Sequence, residues 1–136
     1  MRERPSVLPS IEEIMTREVV TLSPEEEILK AMDLLISQRL SGAPVVDGDG
    51  RVVGMLSKKD CLRAALNASY YQQWGGQVND YMASPVETLD PNMDVIAAAT
   101  HFLSSTFRRF PVVREGRLVG QVSRLDLLRA LARLWR

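Results

Sequence analysis

Residues 51–64 read RVVGMLSKKDCLRA, and residues 117–130 read RLVGQVSRLDLLRA. A chain that carries one pattern twice at a fixed spacing builds one supersecondary unit twice, and this outweighs any local propensity. The repeat extends well beyond these two strings. With Met15 set against Met82, an offset of 67 residues, residues 15–46 match residues 82–113 at ten of 32 positions. Loss of one residue in a turn changes the offset to 66, and residues 51–66 then match residues 117–132 at eight of sixteen positions. Each copy is near the lower limit of chain that can bury a core alone, so two halves sharing a core are expected.

The copies punctuate alike. Val19–Leu22 and Val86–Leu89 read as short strands. Ser23-Pro24 and Asp90-Pro91 then read as an N-cap with proline in the first helical position, and Glu26 completes a capping box in the first copy only. The following helices carry apolar stripes of Ile28, Leu29, Met32, Leu35 and Ile36, and of Val95, Ile96, Ala99, Phe102 and Leu103. Strands at 43–46 and 110–113 follow. Turns at Asp47–Gly50 and Glu115-Gly116 lead each into the signature strand as a hairpin. The order per copy is β-α-β-β-α, an α+β fold of two repeats. Ser10–Met15 reads as a short capped helical turn, and 67–76, with Tyr70, Tyr71 and Trp74, as an irregular connector. The expected division is a lead-in with a short helix at 1–13, repeat one at 14–66, a linker at 67–80 and repeat two at 81–136.

In both signature strings a strand hands over to a helix at a serine, with an acid three residues on: Ser57 with Asp60, and Ser123 with Asp126. One reading is a pair of capping boxes. The other is a ligand grip, in which the helix start offers bare amides and a positive dipole end while the carboxylate accepts both hydroxyls of a cis-diol. Recurrence at one place in both copies favours the second.

Charge narrows the function. Lysine plus arginine balance aspartate plus glutamate at 17 each, so no global field draws the protein to nucleic acid or an anionic membrane, and any anion site is local. The apolar runs are shorter than a membrane span and the N-terminus has no signal-like stretch, which predicts a cytoplasmic protein. A single cysteine, Cys61, excludes an internal disulfide. A single histidine, His101, removes most metal and triad arrangements. Cys61 reads as a buried structural thiol, His101 as a surface or interface residue, and no enzyme is expected.

Tandem copies of T-L-x-P, a helix, x-x-P-V-V, G-x-h-V-G and S-x-x-D resemble a pair of CBS domains, the module named for cystathionine β-synthase. The resemblance covers residues 14–134. It implies two repeats packed as a pseudo-two-fold pair, with clefts between their sheets for adenosine-containing ligands. Carried over residue by residue, one cleft would use Asp126, Ser123, Gln121 and Arg109 with Thr21, Leu40 and Ser41. The other would use Asp60, Ser57, Met55 and Gly42 with Thr88, Phe107 and Arg108. By this resemblance the acids and serines hold the ribose. Thr21, Leu40, Ser41, Gln121, Thr88, Phe107, Met55 and Gly42 surround the adenine. Arg108 and Arg109 meet phosphates, with charge added by Lys58, Lys59 and Arg124.

The expected function is a regulatory sensor of AMP, ADP or ATP, with the nucleotide as ligand and no cofactor. The alternatives are an empty scaffold or dimerisation module, or a sensor of another adenosyl ligand such as S-adenosylmethionine. A homodimer is expected, because Leu62, Leu66, Leu127, Leu128, Leu131, Leu134 and Trp135 add apolar supply beyond the helix stripes. A regulated partner protein, not nucleic acid or membrane, would receive the signal.

Overall fold

A computed structural model describes residues 7–72 and 75–136. The elements in order are α1 (Ile11–Ile14), α2 (Ile28–Ser37), β1 (Gly42–Val46), β2 (Val52–Ser57), α3 (Lys58–Tyr71), α4 (Val78–Tyr81), α5 (Val95–Leu103), β3 (Arg109–Arg114), β4 (Arg117–Ser123) and α6 (Arg124–Leu134). The fold is α+β, with β1–β2 and β3–β4 each forming a two-stranded antiparallel sheet. The chain divides into two compact units. Unit 1 combines Met1–Val19 with Glu87–Arg136, and unit 2 is Val20–Val86.

Each unit therefore borrows its short helix from outside its own signature copy. In unit 1, the Ile11 amide donates to the Met93 carbonyl (2.7 Å), and Thr16 and Gln121 exchange two backbone hydrogen bonds of 2.9 Å at the edge of β4. In unit 2, the Val78 amide donates to the Glu26 carbonyl (2.9 Å), and Met55 and Ala83 exchange bonds of 3.0 and 2.8 Å at the edge of β2. These bridges cover backbone groups that a bare two-stranded sheet would leave unpaired. Arg114 on β3 also donates to the Glu12 carboxylate of α1. The guanidinium holds Glu12 below the usual carboxylate range. Because that pKa is lowered by folding, the tether is present above the usual carboxylate range and is lost as pH falls through the lowered value.

The buried apolar residues form two clusters, one within each unit. Unit 1 buries Ile11, Leu89, Val95, Ala98, Phe102, Phe110, Val112, Val122, Leu127 and Ala130. Unit 2 buries Val78, Leu22, Ile28, Ala31, Leu35, Ala43, Val45, Leu56, Cys61 and Ala64, the same positions in the repeat. Ile36 and Leu103, read as core stripe, are 64% and 90% exposed. They close their helices on the outer edge of the stripe.

Three local expectations are corrected. The strands at 19–22 and 86–89 reduce to single parallel bridges, Leu22 with Val45 and Leu89 with Val112. Ser23-Pro24 and Asp90-Pro91 form turns, not helix caps. The helices start four residues later, after Glu27 and Asp94, and the Asp94 carboxylate accepts the Ala97 amide at 2.8 Å. Residues 67–71 of the expected irregular connector continue α3, since Ala68 extends its buried stripe of Cys61 and Ala64. The helix stops where Gln72 adopts φ of 55°. Residues 67–71 and 78–80 of the expected linker at 67–80 are thus helical. Of its aromatics, Tyr70 and Tyr71 are exposed and stack edge to face with centroids 5.1 Å apart, while Trp74 lies outside the described residues.

Candidate functional site

Strand alternation sorts the side chains of each hairpin by face. In β3–β4, Phe110, Val112 and Val122 enter the core, so Arg109, Pro111, Gln121 and Ser123 occupy the opposite face. The register sets Arg109 across from Ser123 and Pro111 across from Gln121. In β1–β2 the corresponding face carries Gly42 across from Ser57 and Pro44 across from Met55. The repeats thus share a backbone frame but differ in chemistry. Unit 1 presents a guanidinium and an amide where unit 2 presents a glycine and a thioether.

Each hairpin ends on its capping serine. The Ser123 amide donates to Asp126 Oδ2 (2.9 Å), and the Asp126 amide donates back to Ser123 Oγ (3.1 Å). The Ser57 amide and hydroxyl both donate to Asp60 Oδ2 (2.9 Å each), and the Asp60 amide returns a bond of 3.2 Å to Ser57 Oγ. The first helical amides are engaged as well. Lys58 donates to the Ser41 carbonyl (2.9 Å) and Arg124 to the Arg108 carbonyl (3.1 Å). The bare amides expected at these helix starts are therefore largely taken, and what a ligand can meet is the carboxylate. The Asp126 Oδ1 has no partner among the described residues, and Arg109 Nε and Gln121 Oε1 are buried without one.

The remaining candidates divide between the units. Thr88, Phe107, Arg108 and Arg124 belong to unit 1, and Thr21, Leu40, Ser41, Lys58 and Lys59 to unit 2. Phe107 is half exposed and packs edge to face on Phe110, with centroids 5.7 Å apart. Arg108, Lys58, Lys59 and Thr21 are exposed, while Thr88, Leu40 and Ser41 are half-buried. Arg124 lines an apolar groove of about 430 Å3 between α5 and α6 together with Phe102, Leu127, Leu128 and Leu131.

One residue at the unit 2 acid escaped the sequence reading. The Arg63 guanidinium donates to Asp60 Oδ1 at 2.6 Å and to the Tyr81 carbonyl at 3.2 Å. The signal was present, because an acid followed three residues later by arginine is a helix-surface pair, and it occurs at both Asp60–Arg63 and Asp126–Arg129.

His101 lies 2.6 Å from the Glu87 carboxylate and against the Phe110 ring. Cys61 is buried in the unit 2 core, and burial, helped by the Asp60 charge, pushes its thiol pKa up. The thiol is therefore expected to react slowly with a disulfide reagent at pH 8 in the native protein and rapidly in denaturant. Equal rates in the two states would contradict its packing.

A family model described as CBS domain matches residues 11–67 and 78–133. The chain is 31% identical over 121 residues to the CBS domain-containing protein YhcV of Bacillus subtilis, covering 88% of this chain and 84% of that one. It is 29% identical over 125 residues to the uncharacterized protein MJ1225 of Methanocaldococcus jannaschii, covering 92% of this chain and 44% of that protein, so it spans less than half of this relative's length. The crystal structure of CBSX2 in complex with AMP superposes with a TM-score of 0.82 at 27% identity, covering 94% of this chain and 99% of that one. Among the described residues no helix is long and apolar enough to cross a membrane, and no group of three or more histidine, cysteine, aspartate or glutamate side chains is set to hold a metal ion.

Proposed function

The chain belongs to the CBS domain family, and on that premise we propose that it is a regulatory module that binds an adenine nucleotide on its capping acids and reports occupancy through its packing. One observation carries this reading. Unit 1 holds an acid with a partnerless outer oxygen on the hairpin whose outer face carries a buried guanidinium nitrogen and a buried amide oxygen, both unpaired. A buried polar group without a partner costs about 1–3 kcal/mol, so two such groups on one hairpin face are suited to an incoming polar ligand. The chemistry fits the parts of a nucleotide. A carboxylate accepts the ribose diol, the Gln121 amide meets the edge of a base, and the Arg109 fork pairs with phosphate. The likeness to CBSX2, solved with AMP, supports the same ligand class.

Within this reading Asp126 and Ser123 hold the ribose, as Asp60 and Ser57 would in unit 2. Thr21, Leu40, Ser41, Thr88, Phe107, Met55 and Gly42 are assigned to the base, and Arg108, Lys58, Lys59 and Arg124 to charge beside the phosphates. A thermal-shift panel of adenosine ligands tests the class. A nucleotide at 100 times its dissociation constant adds about 2.7 kcal/mol to stability, and no shift with AMP, ADP or ATP would refute it. The phosphate role has an internal control. Arg109→Ala is expected to weaken ATP binding tenfold or more while leaving adenosine within about twofold, because a guanidinium–phosphate bond of about 1.5–3 kcal/mol exists for ATP alone. Equal losses for the two ligands would assign Arg109 to the fold.

The module is also proposed to act as a homodimer. Leu103 and Leu128, 90% and 65% exposed, flank the α5–α6 groove, and two-fold pairing is the commonest way to cover such a face. Light scattering on a sizing column should give a mass near twice 15.2 kDa, and a single species at 15.2 kDa at tens of micromolar protein would overturn it.

A further inference from the structure

The two acids occupy the same position in the repeat, yet their outer oxygens meet different surroundings. Asp60 is saturated. Its Oδ2 accepts the Ser57 amide and hydroxyl, and its Oδ1 accepts the Arg63 guanidinium at 2.6 Å, leaving the side chain 12% exposed. Arg63 is held at its other end by the Tyr81 carbonyl. In unit 1 the equivalent arginine, Arg129, makes no ion pair with Asp126. In place of such a bridge stands a cavity of about 230 Å3 lined by Glu13, Ile14, Asp126, Arg129 and Arg133, in which Ile14 is the repeat equivalent of Tyr81. A charge-assisted guanidinium–carboxylate bond is roughly twice as strong as a neutral one, so a ribose hydroxyl does not displace Arg63 at equal cost.

The hairpin faces differ in the same direction. Arg109 and Gln121 leave buried polar atoms waiting, whereas Gly42 and Met55 supply no counterpart. Gly42 is also sterically confined, because a Cβ there would lie 2.8 Å from the Leu56 carbonyl oxygen. Unit 2 thus has neither a free acid nor room for a phosphate-binding side chain at that register position.

We propose that each chain takes up a single adenosine-type ligand, on the Asp126 acid of unit 1, and that Arg63 is a built-in occupant of the Asp60 acid that keeps unit 2 closed. The proposal rests on the reading of these acids as diol acceptors and specifies which of them performs that role. Arg63 is 59% exposed on its side chain, so its removal opens the acid without emptying the core. Asparagine at either acid position retains an oxygen for the serine amide and so preserves the helix cap.

Titration calorimetry of the full chain with AMP and with adenosine decides the question. The wild type should bind one equivalent of each. Asp126→Asn should weaken that binding at least tenfold, and Arg63→Gln should admit a second equivalent of adenosine. Two equivalents in the wild type, one of them removed by Asp60→Asn, would overturn the proposal, as would a single site lost in Asp60→Asn and kept in Asp126→Asn. A count that stays at one in Arg63→Gln would overturn the role given to Arg63. If neither AMP nor adenosine binds the folded wild type or Arg63→Gln, the reading of the acids as diol acceptors fails, and the single-site proposal fails with it.

Discussion

Ile11→Ala is expected to destabilise unit 1 by about 2–5 kcal/mol, the usual cost of truncating a fully buried isoleucine. Ile11 has no exposed surface and belongs to the cluster of Val95, Phe102, Phe110 and Val122, although it lies more than eighty residues before them in the chain. A loss of this size is a large part of a typical net stability of about 5–15 kcal/mol. The effect should also be local. In hydrogen exchange, the Leu89 and Val113 amides, which donate to the Pro111 and Leu89 carbonyls in unit 1, should lose protection. The Leu22 and Val46 amides of unit 2 should keep it. Equal loss in both units would show that α1 supports the whole chain and not the unit whose core it enters. Val78→Ala at the equivalent position should give the converse pattern, with a smaller loss because fewer methylenes are removed.

Gly120→Ala is expected to cost about 1–3 kcal/mol, the usual penalty for overpacking. A Cβ at this position would lie 2.5 Å from Met15 Sδ and 2.9 Å from the Thr16 carbonyl oxygen. The methionine can rotate away, but the carbonyl cannot move freely, because it accepts the Gln121 amide in the bridge that closes the sheet edge. Relief of the clash therefore opens that bridge and loosens the strand that carries Gln121. Gly54→Ala should behave alike against Met82 and the Ala83 carbonyl. Gly48→Ala is the control, since nothing lies within 4 Å of its added methyl. Denaturant midpoints measure all three, and a Gly120→Ala midpoint equal to that of Gly48→Ala would remove the close approach from the account.

Much of the fold was legible because it depends on short-range chemistry stated twice. The hairpins follow from alternating apolar runs around turn residues, and the helix starts at Ser57 and Ser123 follow from a capping box four residues long. The α2 and α5 starts were misplaced because a proline after serine or aspartate is equally the mark of a turn. Only the tertiary setting shows that Glu27 and Asp94 precede the first helical residues. The end of α3 was misread for a similar reason, since Tyr70, Tyr71 and the small residues around them look irregular until Ala68 is seen to bury the helix face.

The site residues divide along the same line. That a serine and an acid recur at one strand–helix junction in both copies is a property of the sequence, fixed by local spacing. Whether the acid is free depends on where an arginine one helical turn away finds a second partner. In unit 2 the Tyr81 carbonyl holds Arg63 over Asp60, and in unit 1 the equivalent place beside Ile14 is open. The sequence by itself determined two copies of a hairpin–helix unit, each with its capping acid, because those depend on contacts within a few residues. Only the tertiary structure decided that 7–19 complete the unit of the second copy and 77–86 that of the first, and that one acid is closed while the other is open. Both outcomes depend on burial and hydrogen bonding between segments distant in the chain, which no local pattern records.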